Sequence, residues 1–272
     1  MVESLVISNG SISVVFNRTN SDYLIDDDGI DWGEITSTFS TLSNLDGYGS
    51  ELNAVETTGM RDVKIVGWVV GTEAQMAAKK SYLAQVLYPQ KDLTISVTSK
   101  RDQSKTYTLT VYVSKSITFG NTVRTNNEKM CRFEVVFTAV YPFFERARSY
   151  TISSSGEGIL NLGALKVGAR ISLVLNSAVS NPYIYLTKAR ESAAFGAYGS
   201  FGAGTRIFVN TEKAHRIISV NGVRDYSVYN PSMNWIYVPV SYSESDYITV
   251  EIPSGVTAEI SFNEAYTSME DL

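Results

Sequence analysis

Cysteine and histidine are nearly missing: the 272 residues hold one of each, Cys131 and His215. A single cysteine excludes an intramolecular disulfide. One cysteine and one histidine also fall short of the three or four ligands of a recognisable zinc site. Cys131 lies in the strand-like run CRFEVVFT and reads as a small buried hydrophobe. A nucleophile–histidine system would have to use His215, yet the chain has no G-x-S-x-G elbow, and Cys131 sits in another segment. His215 therefore reads as a surface or packing residue. Phosphate-cradling loops are missing too. Gly196, Gly199, Gly202 and Gly204 have the wrong spacing for G-x-G-x-x-G and no helix follows them. Nothing singles out a carboxylate pair for glycoside hydrolysis. The expectation is a protein with no catalytic residues, no metal and no cofactor.

Charge of either sign is scarce. Twenty-three basic residues stand against 28 acidic ones, a net charge of −5. That argues against a basic nucleic-acid footprint. Long hydrophobic runs are lacking as well. The longest, Ile65 to Val70, is short and interrupted by Gly67, where a membrane helix needs about 20 residues. The opening MVESLVISNGS lacks a basic start followed by an apolar core, so no signal peptide and no membrane insertion are expected.

What is present is β-forming material. Hydrophobic residues make up 44%, with 17 Tyr among them, and branched and aromatic side chains suit a pleated, half-buried surface. Residues 4–16 read as a hairpin around Asn9-Gly10. The run Asp26, Asp27, Asp28, Gly29, Asp31, Glu34 invites a calcium reading but misses the EF-hand spacing, so a solvated Asp-Gly turn is expected. Residues 36–51 read as a loop or extended excursion, and its Phe39, Leu42 and Leu45 require burial at home or on a neighbouring subunit. The stretch 52–93 reads as strand, tight turn, strand, helix, stop, strand. Gly67 marks close packing within its second strand. Thr72 and Gln75 fit a capping box. Met76, Leu83, Val86 and Leu87 share one helical face over about 73–87, and Pro89 ends the helix.

Strands are expected at Leu93–Thr98, Thr106–Val113 and Arg132–Ala139, with Tyr107, Leu109, Val111 and Val113 on one face of the second and Phe133, Val135 and Phe137 on one face of the third. After VYPFFE a domain boundary is expected near Arg148, since Pro142 cannot donate to a ladder. Beyond it the chain reads as short strands of a sandwich. Asn221-Gly222 turns one hairpin; Trp235, Tyr237 and Val238 begin a strand; Tyr247–Ile252 and Val256–Phe262 form a hairpin around Pro253-Ser254-Gly255. The Gly/Ala-rich tract 195–205 reads as a mobile loop tip. Tyr183, Tyr185, Tyr198, Phe201, Tyr229, Trp235 and Tyr237 read as sandwich core and loop aromatics, with a sugar-stacking platform as the alternative.

Taken together, Gly59, Arg61, Ile65, Gly67, Gly71, Leu83, Leu87 and Pro89, then FEVVFTAVYPFFE (133–145), RIFVNTEKAHRIISVNGVRDY (206–226), Trp235 and the YITVEI strand, resemble the distal tail (Dit) proteins of long-tailed phages infecting Gram-positive bacteria. Met60, between Gly59 and Arg61, departs from that pattern. The resemblance implies a mainly β chain with an N-terminal, sandwich-like ring-forming domain (1–148) carrying one helix, and a C-terminal galectin-like β-sandwich (149–272). It implies a non-enzymatic structural part of the virion tail tip, or baseplate, assembled in the host cytoplasm. Its partners would be five further copies in a hexameric ring, the tail tube protein, a tail-associated protein, the tape measure protein and, in some members, receptor-binding parts. DNA would only pass through the channel. Phe39, Leu42 and Leu45 become the expected gasket between subunits. Tyr183, Tyr185, Tyr198 and Phe201 become the expected sugar or partner face. The alternative is a carbohydrate-binding module or adhesin that grips host cell-wall sugar through the C-terminal sandwich.

Overall fold

The computed structural model describes residues 4–17, 22–35, 37–43, 50–89, 92–99, 102–122, 125–126, 129–189, 191–212, 216–233 and 235–268, with the backbone alone for Asp27, 37–43 and 50–58. Contacts divide the chain into two compact units, Met1–Phe144 with Thr267–Leu272, and Glu145–Tyr266.

The first unit contains β1 (Ser4–Ser8), β2 (Ser13–Asn17), β3 (Tyr23–Asp31), β4 (Ser37–Ser43), β5 (Ser50–Thr58), β6 (Arg61–Val70), α1 (Glu73–Val86), β7 (Leu93–Thr98), β8 (Thr106–Phe119) and β9 (Met130–Ala139). Strict alternation drives these strands. In β9, Cys131, Phe133, Val135, Phe137 and Ala139 are all buried, and in β8 Tyr107, Leu109, Val111 and Val113 are. The order β8-β7-β1-β2-β3-β6-β9 closes on itself because β8 also pairs with β9. Closure removes the open edges that an isolated sheet would carry. The weakest link is β2 with β3, a parallel pairing at Asn17 and Leu24 only.

Gly67 confirms the close approach expected in β6. A Cβ there would lie 2.2 Å from the Leu24 carbonyl oxygen and 2.9 Å from the Phe133 ring. The helix begins as expected: the Thr72 amide donates to Gln75 Oε1 at 3.2 Å. Met76, Leu83, Val86 and Leu87 are buried, and α1 packs on β2 and β6. Polar ties pin it as well. Tyr23 donates to the Lys79 carbonyl (3.0 Å), Tyr82 to the Ser13 carbonyl (2.8 Å), and Lys79 Nζ pairs with Asp22 (2.8 Å).

After β10 (Phe144–Ile152), the second unit holds β11 (Glu157–Ile159), β12 (Arg170–Leu175), β13 (Val179–Ser180), β14 (Tyr183–Lys188), β15 (Glu191–Gly196), β16 (Ser200–Phe201), β17 (Arg206–Asn210), β18 (Ile217–Val220), β19 (Val223–Arg224), β20 (Ile248–Glu251) and β21 (Val256–Tyr266). One layer runs β19-β18-β17-β12-β21-β10, the other β11-β20-β14-β15. Ile171, Leu173, Ala258 and Ile260 of the first layer and Ile184, Leu186, Ile248 and Val250 of the second are fully or almost fully buried. The hairpin at Asn221-Gly222 forms as expected, both residues taking positive φ, 49° and 82°.

Three expectations for this unit are corrected. First, β20 and β21 do not pair; they belong to different layers, so Pro253-Ser254-Gly255 is an arch between sheets. The arch is held by Asn176 N–H donating to the Gly255 carbonyl at 2.7 Å. Second, Trp235, Tyr237 and Val238 start no strand. Only Val238 makes an isolated bridge, to Val167. Third, 195–205 is not simply a loop tip but carries strand pairing and backbone ties. It ends β15, forms β16 against β13, and ties Tyr198 N–H to Val228 O (2.6 Å) and Gly204 N–H to Leu175 O (2.7 Å).

Candidate interaction surfaces

In the first unit the region expected as a loop or extended excursion at 36–51 takes the extended form over its described residues. β4 and β5 form a two-stranded antiparallel sheet running from Ser37 opposite Thr58 to Ser43 opposite Ser50, with two register shifts. Alternating Ser and Thr with apolar residues satisfies a ladder as readily as a loop, which is why composition left both forms open. Among the described residues this sheet pairs with no other strand. Although β5 precedes β6 by only Gly59-Met60, the two do not pair; β6 lies between β3 and β9. Phe39 and Leu42 fall in β4, opposite Val55 and Glu51, in a stretch described by its backbone alone. Leu45 lies outside the described residues.

The acidic run is a bulged strand rather than a solvated turn. The β3 register with β6 shifts between Ile25 and Ile30. Asp26 accepts the indole N–H of Trp68 and lies 3.7 Å from Arg132 Nε. Among the described residues, no three His, Cys, Asp or Glu side chains gather as a metal site. His215 is outside the described residues, and Cys131 is a buried free thiol.

In the second unit the aromatic residues separate into distinct groups. Tyr183 and Tyr185 lie on the outer face of β14, half-buried, with ring centroids 4.9 Å apart. Gly196 faces Tyr183 across the strand pair, and Met233 Sδ covers it, 2.6 Å from where a Cβ would stand. Trp235 has partners already: Tyr229 stacks on it at 5.0 Å and 12°, and the Arg216 guanidinium lies 5.5 Å from its ring. Lys166 Nζ sits 5.3 Å from the Tyr237 ring. Tyr198 is 68% exposed, and Phe201 is half-buried opposite Val179. No continuous open platform of all seven rings results, because Trp235 spends its face within the chain. Tyr242, at 85% exposure, is a surface aromatic that sequence reading missed. Its ring stands over Lys188 Nζ at 4.2 Å, and Lys188 pairs with Asp246 at 2.5 Å. The hydrogen bond and charge of Lys188 hold the Asp246 carboxyl below its usual range.

A buried acid organises the ends of this unit. Glu264 is fully buried and meets Arg148 Nε at 2.9 Å, Leu162 N–H at 2.8 Å and the Tyr266 hydroxyl at 2.7 Å. Burial is the largest single influence on the Arg148 pKa and pulls it down, but the hydrogen bond and charge of Glu264, with smaller help from Tyr150 and Tyr266, together outweigh it and the net shift is upward. Nothing in the local sequence NEAY announces this role, since exposed and buried glutamates look alike.

No family model matches the chain, and no curated protein matches it by sequence. Solved structures do match in fold. The Dit protein of phage SPP1, described as a paradigm of the hub adsorption apparatus in phages infecting Gram-positive bacteria, aligns with a TM-score of 0.66 at 14% identity over 95% of this chain and 98% of that one. A chain of the phage P2 baseplate in its activated conformation with calcium aligns with a TM-score of 0.50 at 9% identity, over 96% of this chain and 98% of that one. The fold of this chain is therefore mainly β and Dit-like.

Proposed function

We propose that this chain is a structural component of a phage tail tip, a distal tail hub that assembles as a homohexameric ring. The observation that carries this reading is the fold likeness to the SPP1 hub protein, which runs through both units with almost nothing left over on either chain. The sequence resemblance points the same way. In this reading the first unit forms the ring around a channel for the tape measure protein and DNA, and the second unit forms the outward galectin-like domain. The ring joins the tail tube to a tail-associated protein, with receptor-binding parts at the periphery and no chemistry of its own.

A ring of identical chains needs two different complementary surfaces on each copy. The closed sheet of the first unit offers few strand edges, whereas β4–β5 has an unpaired edge on each strand among the described residues. We assign the subunit contact to this hairpin, with Phe39, Leu42 and Leu45 as its apolar part. Light scattering coupled to size exclusion tests the proposal, with six-subunit rings expected. A persistent monomer at micromolar concentration overturns it. Replacing Phe39, Leu42 and Leu45 together by Ser is expected to abolish rings; intact rings would remove the hairpin assignment and leave the hub reading standing. The second reading, a sugar-gripping adhesin, draws on the Tyr183–Tyr185 pair and, separately, on exposed Tyr198. A glycan array separates it from the first.

A further inference from the structure

Asn-Gly stands at two turns of the chain, 9–10 and 221–222. The pair has a chemistry of its own. The glycine amide nitrogen can attack the asparagine side-chain carbonyl carbon, because no Cβ shields its approach. A nitrogen–carbon bond forms, the bond to the side-chain nitrogen breaks, and ammonia leaves with the proton of the glycine amide. The product is a five-membered imide. Water then opens it at either carbonyl, giving aspartate or isoaspartate. One water is consumed and one ammonia released, with no oxidation or reduction.

The fold treats the two pairs differently. At the first, the attacking group is engaged: Gly10 N–H donates to Ser8 Oγ at 3.1 Å. Asn9 Oδ1 accepts from the amides of Ser11 and Ile12, both at 3.1 Å, and Asn9 N–H donates to the Ile12 carbonyl at 3.1 Å. Asn9 Nδ2, the nitrogen that would have to leave, is buried. The turn also joins β1 and β2, both interior to the closed sheet.

At the second pair these obstacles are missing. Asn221 and Gly222 are both exposed. Among the described residues nothing accepts from Gly222 N–H, and a Cβ on Gly222 would meet nothing within 4 Å. Arg206 N–H donates to Asn221 Oδ1 at 2.9 Å. That oxygen is the one on which negative charge develops during attack, so the donor stands where it stabilises the addition. The turn carries β19, two residues long at the end of its layer and paired only as Ser219 with Arg224 and Val220 with Val223. Short edge elements open locally at low free energy, which lets the turn rotate Gly222 N toward the side-chain carbon.

We propose that Asn221 is a site of spontaneous modification, converting to aspartate and isoaspartate in the folded protein while Asn9 persists. Isoaspartate routes the main chain through the former side chain and adds one backbone carbon to a two-residue turn. That length breaks the Val220–Val223 pairing and frees β19 from the edge of the second unit. The proposal concerns this turn alone and does not depend on the tail-hub reading.

Peptide mapping by mass spectrometry after prolonged incubation of the full chain at mildly alkaline pH tests it, with a sample held unfolded in urea alongside. In the folded protein Asn221 is expected to convert at least roughly tenfold faster than Asn9, the rate factor of one hydrogen bond broken before attack. In urea the two rates are expected to converge. Equal rates in the folded protein, or no conversion at Asn221 while the urea sample converts, overturn the site. A difference that survives in urea overturns the role given to the fold. Amide exchange in β18 and β19 is expected to speed up in the isoaspartate fraction; unchanged exchange there overturns the loss of pairing. None of these measurements needs a substitution.

Discussion

The two units solve the problem of a polar interior differently. Among the described residues the buried polar side chains of the first unit are Arg61 and Ser99, whereas the second buries Glu145, Asn161, Ser219, Ser241 and Glu264. The reason lies in their connections. The first unit is long strands around a closed sheet, so its backbone groups are consumed by ladders. The second has irregular crossings at 160–169 and 225–247, whose buried amides and carbonyls need partners from side chains. Asn161 supplies several. Its amide nitrogen reaches the carbonyls of Leu165 (3.0 Å), Val238 (3.3 Å) and Pro239 (3.1 Å), and its oxygen accepts from Gly163 N–H at 3.1 Å. Volume should therefore rule stability in the first unit, and polar satisfaction in the second.

The sharpest test of that contrast is Glu264→Leu. It leaves Arg148 without its counter-charge, strands the Leu162 amide and takes the Glu264 acceptor from the Tyr266 hydroxyl. Removing one member of a buried ion pair costs about 3–5 kcal/mol. Chemical denaturation followed by exchange at β12 should show that loss in the second unit while β9 keeps its protection. If the variant were as stable as the parent, polar satisfaction would not be what holds this unit.

Gly67→Ala probes the other side. The new methyl would meet the Leu24 carbonyl at 2.2 Å and Phe133 at 2.9 Å. The first is backbone, so β3 must move. Overpacking of this kind costs about 1–3 kcal/mol. The loss should appear at β3 and β9, with β12 untouched. A neutral outcome would mean that the closed sheet yields at its single-bridge joint between β2 and β3 and does not punish volume.

The same contrast explains what could be read from the sequence. In the first unit, period-two alternation places Phe133, Val135 and Phe137 correctly, and a lone Gly in a strand of large residues betrays the contact at Gly67. The helix follows from Thr72, Gln75 and Pro89. In the second unit, local signals name turns but not partners. Asn221-Gly222 dictates its own positive φ, so that hairpin is legible. Pro253-Ser254-Gly255 breaks the chain equally well as a hairpin or as an arch, and only the layer each flanking strand joins decides between them. Trp235 and Tyr237 look like strand residues because aromatic side chains favour strands, yet a side-chain hub at Asn161 binds their neighbours instead. The backbone ties of 195–205 are hydrogen bonds to Val228 and Leu175, which composition does not encode. Closure through β8 and β9, and the isolation of β4–β5, are likewise long-range facts.

The smallest effect is a matter of pH, and it asks whether the first unit has any polar dependence beyond Arg61. Burial, reinforced by the charge of Asp22 and then by Tyr82, pushes the Tyr23 phenol up to about 12, against about 10 for a free tyrosine. The folded state thus holds this proton more tightly than the unfolded state does. Where the unfolded form binds fewer protons, stability falls as pH rises. The contribution is fully present below pH about 10 and is lost progressively as pH climbs toward about 12. Tyr23→Phe keeps the ring that packs 5.9 Å from Phe16 and gives up the bond to the Lys79 carbonyl. It should be slightly less stable than the parent at neutral pH, by about 1 kcal/mol for one hydrogen bond, and the gap should narrow at alkaline pH. Parallel melting curves at pH 7 and 10.5 would decide it. A gap that stays constant would mean that the hydroxyl ionises as freely in the fold as outside it, and that the anchorage of α1 on β3 rests on packing alone.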